Sequence, residues 1–400
     1  MRTCRSAGHP RTQRHRRGVL TLWTAIAVFF LCLLVTGVIQ IIYQSGVQSQ
    51  ARHCAESAAL AAGHAYLSDD LLRWRQQSFE SEARRIRSTD AAVKIAGHYH
   101  RTSVAPELTS SHVQFDTQTS GNTGSKSGHV PSWIRAGWHS DPKNSSTPFW
   151  GPIVNSSLNV AATVSMEHSP CGFRIPQNAA LPFLPFAICD DSAQENPVSG
   201  STSGTGYWTE QIENGKGADQ FSWNETSQTF ELGPDGIPEI SVALTSTSTT
   251  PAPDTFIPLQ LHARNVGQAY SVAQQIETGL RQSDLESLGM QELRYPSAIA
   301  SCTLAGTQVA QVINSLHRKA GKPCILSLCT TGIKSDSTTS LDKVTLKRPV
   351  AVRIIQTLKS TAGTTRVTLQ PCVFVTSTAI TSTQPQFANN RYIYSVRLID

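Results

Sequence analysis

One uninterrupted apolar run, Val19 to Tyr43, dominates the hydrophobic pattern of this chain. It holds 25 consecutive residues without a charged side chain, and 15 of them are Leu, Ile, Val or Phe. As a helix the run would extend roughly 37 Å, more than the hydrocarbon core of a bilayer, about 30 Å. We therefore predict a transmembrane helix over residues 18–43. The side chains expected to anchor it are Val19, Leu22, Ile26, Phe29, Phe30, Leu33, Leu34, Val38 and Ile42.

The pattern changes directly after this run, where alanine recurs at spacings of three and four residues. This spacing predicts that the helix continues and carries one narrow face of small side chains. Such a face lets a second helix approach closely, so it is a candidate packing surface. Alanine also simply propagates helices best, and the two interpretations stay open. The face consists of Ala51, Ala55, Ala58, Ala59 and Ala62.

Farther along, the pattern predicts one more helix in the stem and then mostly strands. Ser68 is a candidate N-cap for a helix that runs towards Gly97. Its arginines would form a solvated face or, near a membrane, meet anionic headgroups. These arginines are Arg73, Arg75, Arg84, Arg85 and Arg87. The clearest later helix is Thr307 to Ala320, and strand-length apolar patterns follow it at 324–330, 350–358, 366–375 and 392–398.

These elements predict an α+β protein: one N-terminal transmembrane helix, an alanine-rich stem, and a mostly β exported region with a few helices. The predicted organisation has five segments along the chain. They are a basic cytoplasmic tail at 1–17, the transmembrane helix at 18–43, a helical stem at 44–105, a β-rich region with Ser/Thr/Gly linkers at 106–250, and a C-terminal α+β domain at 251–400.

The charges that flank the apolar run predict its orientation. Six arginines and no acidic residue precede the run. Positive charge keeps a short tail in the cytoplasm, so the remainder is expected outside the cytoplasmic membrane. A cleaved leader is the alternative, because Ala59-Leu60-Ala61 resembles a cleavage site, although a leader's apolar core is usually only about 7–15 residues long.

Composition limits the partners and the redox state. The net charge is +6, which the six tail arginines equal, so the exported part is near neutral and no nucleic-acid partner is expected. Six cysteines lie beyond the stem, and in an oxidising compartment they permit 15 disulfide connectivities. Ordinary buried thiols are the alternative. The six are Cys171, Cys189, Cys302, Cys324, Cys329 and Cys372.

No catalytic or metal-binding motif stands out in the sequence. It contains no GxSxG, HExxH or phosphate-binding loop, so we predict a non-enzymatic protein without a cofactor or metal. Asp190-Asp191 follows an apolar stretch, where such a pair caps a loop or, less commonly, binds calcium.

The order of the N-terminal motifs resembles the TadE/TadG-like proteins of the bacterial Flp (tight adherence) pilus-assembly system. The matching residues are Arg16-Arg17-Gly18, Tyr43, Arg52 and Ala55-Glu56-Ser57-Ala58-Ala59-Leu60-Ala61-Ala62-Gly63. The resemblance covers about 50 residues. It implies an anchor in the cytoplasmic membrane and a role in assembling or displaying a surface pilus, with other pilus-assembly membrane proteins, or further copies of this chain, as partners. A surface adhesion protein and, as a weaker option, an exported hydrolase are the alternatives.

Overall fold

The computed structural model describes most of the 400-residue chain, in thirteen stretches. These are residues 14–73, 80–100, 108–116, 130–139, 159–190, 206–244, 252–262, 271–304, 306–334, 343–359, 364–384, 387 and 390–399. They form an α+β protein with a long apolar helix at the N-terminus and a mostly β remainder, which confirms the predicted fold class at this level.

The described residues contain one very long helix and four shorter ones. The bounds are α1 Arg14–Tyr66, α2 Glu80–His100, α3 Val272–Thr278, α4 Gln282–Ser287 and α5 Gly306–Arg318. The helix predicted at 307–320 is confirmed as α5. It ends before Gly321, whose φ of 76° lies in the left-handed region that glycine adopts without strain.

The helix predicted to begin at Ser68 is wrong at its start. Asp69–Leu72 is a short 3-10 segment, the Ser68 side chain makes no capping hydrogen bond, and α2 begins at Glu80. Tertiary contacts explain the difference, because the Asp69 carboxylate is held by Arg353 and by the backbone N–H of Val373. Within the described residues, the predicted stem at 44–105 therefore holds the end of α1, this 3-10 segment and α2.

Nineteen strands lie in the described residues, and most are short. Their bounds are β1 Val113–Phe115, β2 Trp133–His139, β3 Asn159–Glu167, β4 Pro170–Phe173, β5 Ala180–Leu181, β6 Phe183–Cys189, β7 Phe221–Asn224, β8 Thr229–Leu232, β9 Ile240–Leu244, β10 Phe256–Pro258, β11 Leu280–Arg281, β12 Leu293–Arg294, β13 Ser297–Ala300, β14 Pro323–Lys334, β15 Lys343–Lys359, β16 Thr365–Pro371, β17 Phe374–Val375, β18 Ala379–Thr381 and β19 Ile393–Ile399.

Two sheets carry the fold. One has the order β1-β2-β3-β19-β17, and the other has the order β10-β6-β14-β15-β16-β9 with β13 also paired to β15. Neighbours in the larger sheet are antiparallel except β6 and β14, which run parallel. Smaller pairings, such as the β7–β8 hairpin, surround these sheets.

The predicted boundary between residues 250 and 251 does not separate two structural units. β19 pairs with β3 in one sheet, while β14 pairs with β6 and β16 with β9 in the other. Strands from both sides of the boundary thus complete the same sheets. Long-range strand pairing therefore joins the regions on either side of the predicted boundary.

The second half of α1 belongs to the same core. It lies against β2, β3 and β19 of the five-stranded sheet on one side and along α2 on the other. The buried side chains of the helix and of both sheets form one continuous hydrophobic cluster. The stem predicted from the sequence is consequently an internal element of the folded body.

Candidate membrane anchor and its junction with the core

The first half of α1 is an exposed apolar rod. Among the described residues, α1 is the one helix that is long and apolar enough to cross a membrane, and its most apolar stretch has no residue buried against the protein. Eight of the nine predicted anchor side chains are exposed, while the side chain of Val19 lies outside the described residues. The eight are Leu22, Ile26, Phe29, Phe30, Leu33, Leu34, Val38 and Ile42.

The second half of the same helix is buried. All five alanines of the predicted small-residue face have 0% exposure, and Cys54 between them is also fully buried. Their neighbours are α2 and the five-stranded sheet of the same chain, so this face is already occupied within the protein. The five are Ala51, Ala55, Ala58, Ala59 and Ala62.

Small side chains are required here because the surrounding elements approach closely. A Cβ at Gly63 would lie 3.2 Å from Cγ1 of Val396 and 3.4 Å from Cγ1 of Val164, which places the sheet against the helix backbone. On the other side, the Ser88 hydroxyl of α2 donates to the carbonyl of Ala62 at 2.8 Å. A larger side chain on this face would push the helix away from both neighbours.

Arginines of α2 complete the packing near the end of α1. The Arg84 side chain is only 2% exposed, and its guanidinium lies 5.6 Å from the centre of the Tyr66 ring. Arg85 lies over Phe115 at the same distance, and Arg87 pairs with Asp70. Arg84 therefore belongs neither to a solvated face nor to a headgroup-binding face, the two interpretations that the sequence left open.

The exposed and buried halves meet within one unbroken helix. Tyr43 is 53% exposed, and the first fully buried residue of the stem is Ala51. Eight residues of helix correspond to about 12 Å, so the folded body begins at a fixed short distance from the apolar rod. A continuous helix of this kind transmits orientation as well as position, which a flexible linker cannot do.

Asp190 takes part in a polar network that joins the end of β6 to β15 and to the helical turn Thr209–Glu213. Its carboxylate accepts from the backbone N–H and the hydroxyl of Thr209, at 3.0 and 2.9 Å, which is the loop-capping role. Arg348 of β15 approaches Asp190 at 3.4 Å and Glu213 at 2.7 Å. The Trp208 indole donates to the hydroxyl of Tyr392 in the same region. No sequence spacing could reveal this set, because its members are far apart along the chain.

A second buried polar cluster surrounds Glu239. One oxygen of its carboxylate accepts from the backbone N–H groups of Gln220 and Phe221 at 3.1 and 2.7 Å, and the residue is only 4% exposed. Burial raises the pKa of Glu239 to about 7. The negative charges of Asp219 and Asp235 also raise this pKa, while the two hydrogen bonds lower it. A neutral carboxyl group is thus favoured in the folded protein.

We expect the free energy of unfolding to fall as pH rises, because the Glu239 carboxyl group then loses its proton. Its pKa is about 7 in the folded protein against an ordinary 4.5, so its contribution is fully present below pH 4.5 and is lost as pH rises to about 7. The loss should be on the order of 2 kcal/mol. Urea unfolding of the full chain in detergent at a series of pH values measures it. Glu239→Gln should reduce the dependence of the free energy of unfolding on pH, whereas the exposed control Glu286→Gln should leave it unchanged. An unchanged pH dependence in Glu239→Gln would contradict the raised pKa of Glu239.

The six candidate disulfide cysteines are distributed through the core. Cys302 is partly exposed, and the other five are buried. The Sγ atoms of Cys189 and Cys329 are 3.6 Å apart. Burial raises the pKa of Cys324 to about 11 and also raises that of Cys372. The five are Cys171, Cys189, Cys324, Cys329 and Cys372.

A polar groove lies between α3 and α5. It has a volume of about 300 Å³, and Glu277 crosses it to reach the Ser315 hydroxyl at 2.9 Å and Arg318 at 2.7 Å. Within the part of the chain that the structure describes, no group of three or more His, Cys, Asp or Glu side chains is arranged to hold a metal ion.

The described residues form an α+β protein with an N-terminal helix that is long and apolar enough to cross a membrane. No family model, curated protein or solved structure matches the chain.

Proposed function

We propose that this protein is a membrane-anchored, non-enzymatic component that assembles or displays a Flp-type surface pilus. In this proposal the basic tail lies in the cytoplasm, α1 crosses the cytoplasmic membrane once, and the folded body lies outside. The resemblance of residues 16–63 to TadE/TadG-like proteins supports the pilus role, and the six tail arginines support the orientation.

The continuity of α1 is the observation that carries the anchoring part of the proposal. The helix runs from Arg14 to Tyr66, exposed and apolar in its first half and fully buried at the alanine face in its second. Such a helix holds the body at a set height and angle above the bilayer. Rigid placement suits a component that must dock with other assembly proteins, whereas an enzyme that only needs tethering tolerates a flexible linker.

The burial of the second half of α1 also supports a helix that is not cleaved off as a leader. Cleavage of a leader near Ala59-Leu60-Ala61 would remove Ala51, Ala55 and Ala58 from the core. Emptying a fully buried face in this way would expose the apolar groove between α2 and the sheet. An uncleaved anchor therefore fits the fold. Because the alanine face is occupied internally, partner membrane helices would contact the exposed apolar half of α1 instead.

The proposal predicts that the rigidity of the junction matters more than its length. A flexible Gly/Ser insertion after Val47 should abolish pilus assembly while the body stays folded, because no buried residue is displaced. A helical insertion of about two turns, which nearly restores the angular register, is the matched control and should keep partial assembly. Surface pili are counted by electron microscopy, and folding is checked by thermal unfolding in detergent.

Two outcomes would contradict the pilus role. Normal pili with the flexible insertion would show that rigid placement is unnecessary, and retained ligand binding by such cells would favour the adhesion alternative. A genome without a secretion ATPase gene and a prepilin peptidase gene would remove the system in which this protein is proposed to act.

A further inference from the structure

The only parallel strand pair of the larger sheet, among the described residues, brings two cysteines face to face. β6 ends at Cys189, and Cys189 lies directly opposite Cys329 of β14 in the strand register. Both residues are buried, with exposures of 2% and 0%. The sequence separation is 140 residues, so tertiary folding alone makes this contact.

The geometry of the pair suits a covalent bond. Residues opposite each other on neighbouring strands have Cα atoms about 4.8 Å apart, inside the range of about 4.4–6.8 Å that disulfides span. The two side chains share one face of the sheet, and their Sγ atoms are already 3.6 Å apart. Forming an S–S bond of about 2.05 Å from this separation takes side-chain rotation and a small approach of the two strands.

We propose that Cys189 and Cys329 form a disulfide in the mature, exported protein. This step rests on the proposed export, because it needs an oxidising compartment. The oxidant is an exported thiol-oxidising protein that carries its own reactive disulfide. Its disulfide accepts two electrons and becomes a dithiol, the two cysteine protons pass to its sulfur atoms, and the Cys189–Cys329 bond forms. Because both sulfurs are buried in the folded body, the exchange takes place before folding is complete.

The bond would hold the end of β6 against β14, next to the polar network of Asp190. Asp190, the next residue after Cys189, donates its backbone N–H to the carbonyl of Cys329 at 2.9 Å. Its side chain belongs to the network with Thr209 and Arg348. The disulfide would thus fix β6 to β14 beside this network. Closing so long a loop also removes much conformational freedom from the unfolded chain.

Two other buried cysteines serve as matched controls. Cys324 and Cys372 lie in the same core, and burial raises the pKa of both thiols, which disfavours the reactive thiolate. Cys324→Ser and Cys372→Ser therefore remove a buried thiol without touching the proposed bond. Any effect on the linkage seen with these variants would come from general disturbance of the core.

The test maps linkages in the full chain isolated from membranes, with thiols alkylated at lysis. Digestion without reductant should yield one linked peptide that joins Cys189 to Cys329. Cys189→Ser should eliminate that peptide and leave Cys329 alkylated after denaturation, while both control variants should retain it. In urea, reductant should lower the unfolding midpoint of the natural chain but not that of the Cys189→Ser/Cys329→Ser double variant.

A second measurement tests the disulfide independently of the proposed export. The purified, reduced chain is refolded in detergent with reduced and oxidised glutathione. If the linked peptide forms on refolding and is missing from cells, the cysteine pairing stands and the proposed exported location is overturned. If Cys189 and Cys329 are both alkylated after denaturation in both preparations, the disulfide proposal is overturned.

Discussion

Replacing Ala58 by glutamate is expected to lower the free energy of unfolding by roughly 3–5 kcal/mol. Ala58 has 0% exposure, and the close approach of α2 and the sheet to this face leaves no room for a longer side chain. The new carboxylate would lose its hydration, and it would also force the helix away from its neighbours. Urea unfolding of the full chain in detergent, followed by tryptophan fluorescence, measures the change.

Ala61 provides the matched control for this prediction. It lies on the same helix one turn further along and is only partly buried. Ala61→Glu introduces the same charge and the same helix propensity, so we expect a change within about 0.5 kcal/mol. Equal losses for the two variants would show that the alanine face is not buried in the protein. Full stability of Ala58→Glu would refute the packing of α1 into the core.

Replacing Arg348 by alanine is expected to cost roughly 2–4 kcal/mol of stability. Its guanidinium lies 2.7 Å from Glu213 and 3.4 Å from Asp190, whose side chain is only 3% exposed. Removing the arginine leaves a buried carboxylate whose charge is no longer balanced. Because Arg348 is 22% exposed and Glu213 27%, water offsets part of the loss, and we place the effect below that of a fully buried pair.

A double-mutant cycle isolates the interaction itself. Arg348→Ala and Glu213→Gln, alone and together, should show a coupling energy of about 1–3 kcal/mol. Arg318→Ala is the control, because Arg318 is 66% exposed and its partner Glu277 is 39% exposed. We expect that variant to lose less than about 1 kcal/mol. Additive effects at Arg348 and Glu213 would show that the two side chains do not interact in the folded protein.

Local pattern predicted several elements correctly because their cause is local. α5 has apolar residues on one side and ends before a glycine, and the four C-terminal strand signals lie within β14, β15, β16 with β17, and β19, apart from one or two residues at their ends. The alanine spacing at 51–62 likewise marked a face that the structure buries completely. Helix periodicity and turn residues are encoded within a few neighbouring positions, so they can be read without knowledge of the fold.

Other predictions failed where distant residues decide. A domain boundary was predicted between residues 250 and 251, but β9 on one side pairs with β16 on the other. Ser68 implied a helix start, but Arg353 and the backbone of Val373 hold the carboxylate of the next residue, Asp69, and α2 begins only at Glu80. Arg84 implied a solvated charge, yet it is stacked on Tyr66 inside the body. In each case a partner distant in sequence outweighs a local preference.

The sequence by itself determined that residues 19–43 form an apolar helix, that the helix extends through the alanine spacing, and that the rest is mostly β. Hydrophobic run length and helix or strand period are properties of consecutive residues, which is why they were accessible. Only the tertiary structure decided that α2 and a sheet of the same chain cover the alanine face, that Cys189 lies opposite Cys329, and that Asp190 lies near Arg348. Those contacts depend on strand order and register, which the long-range burial of apolar surface selects.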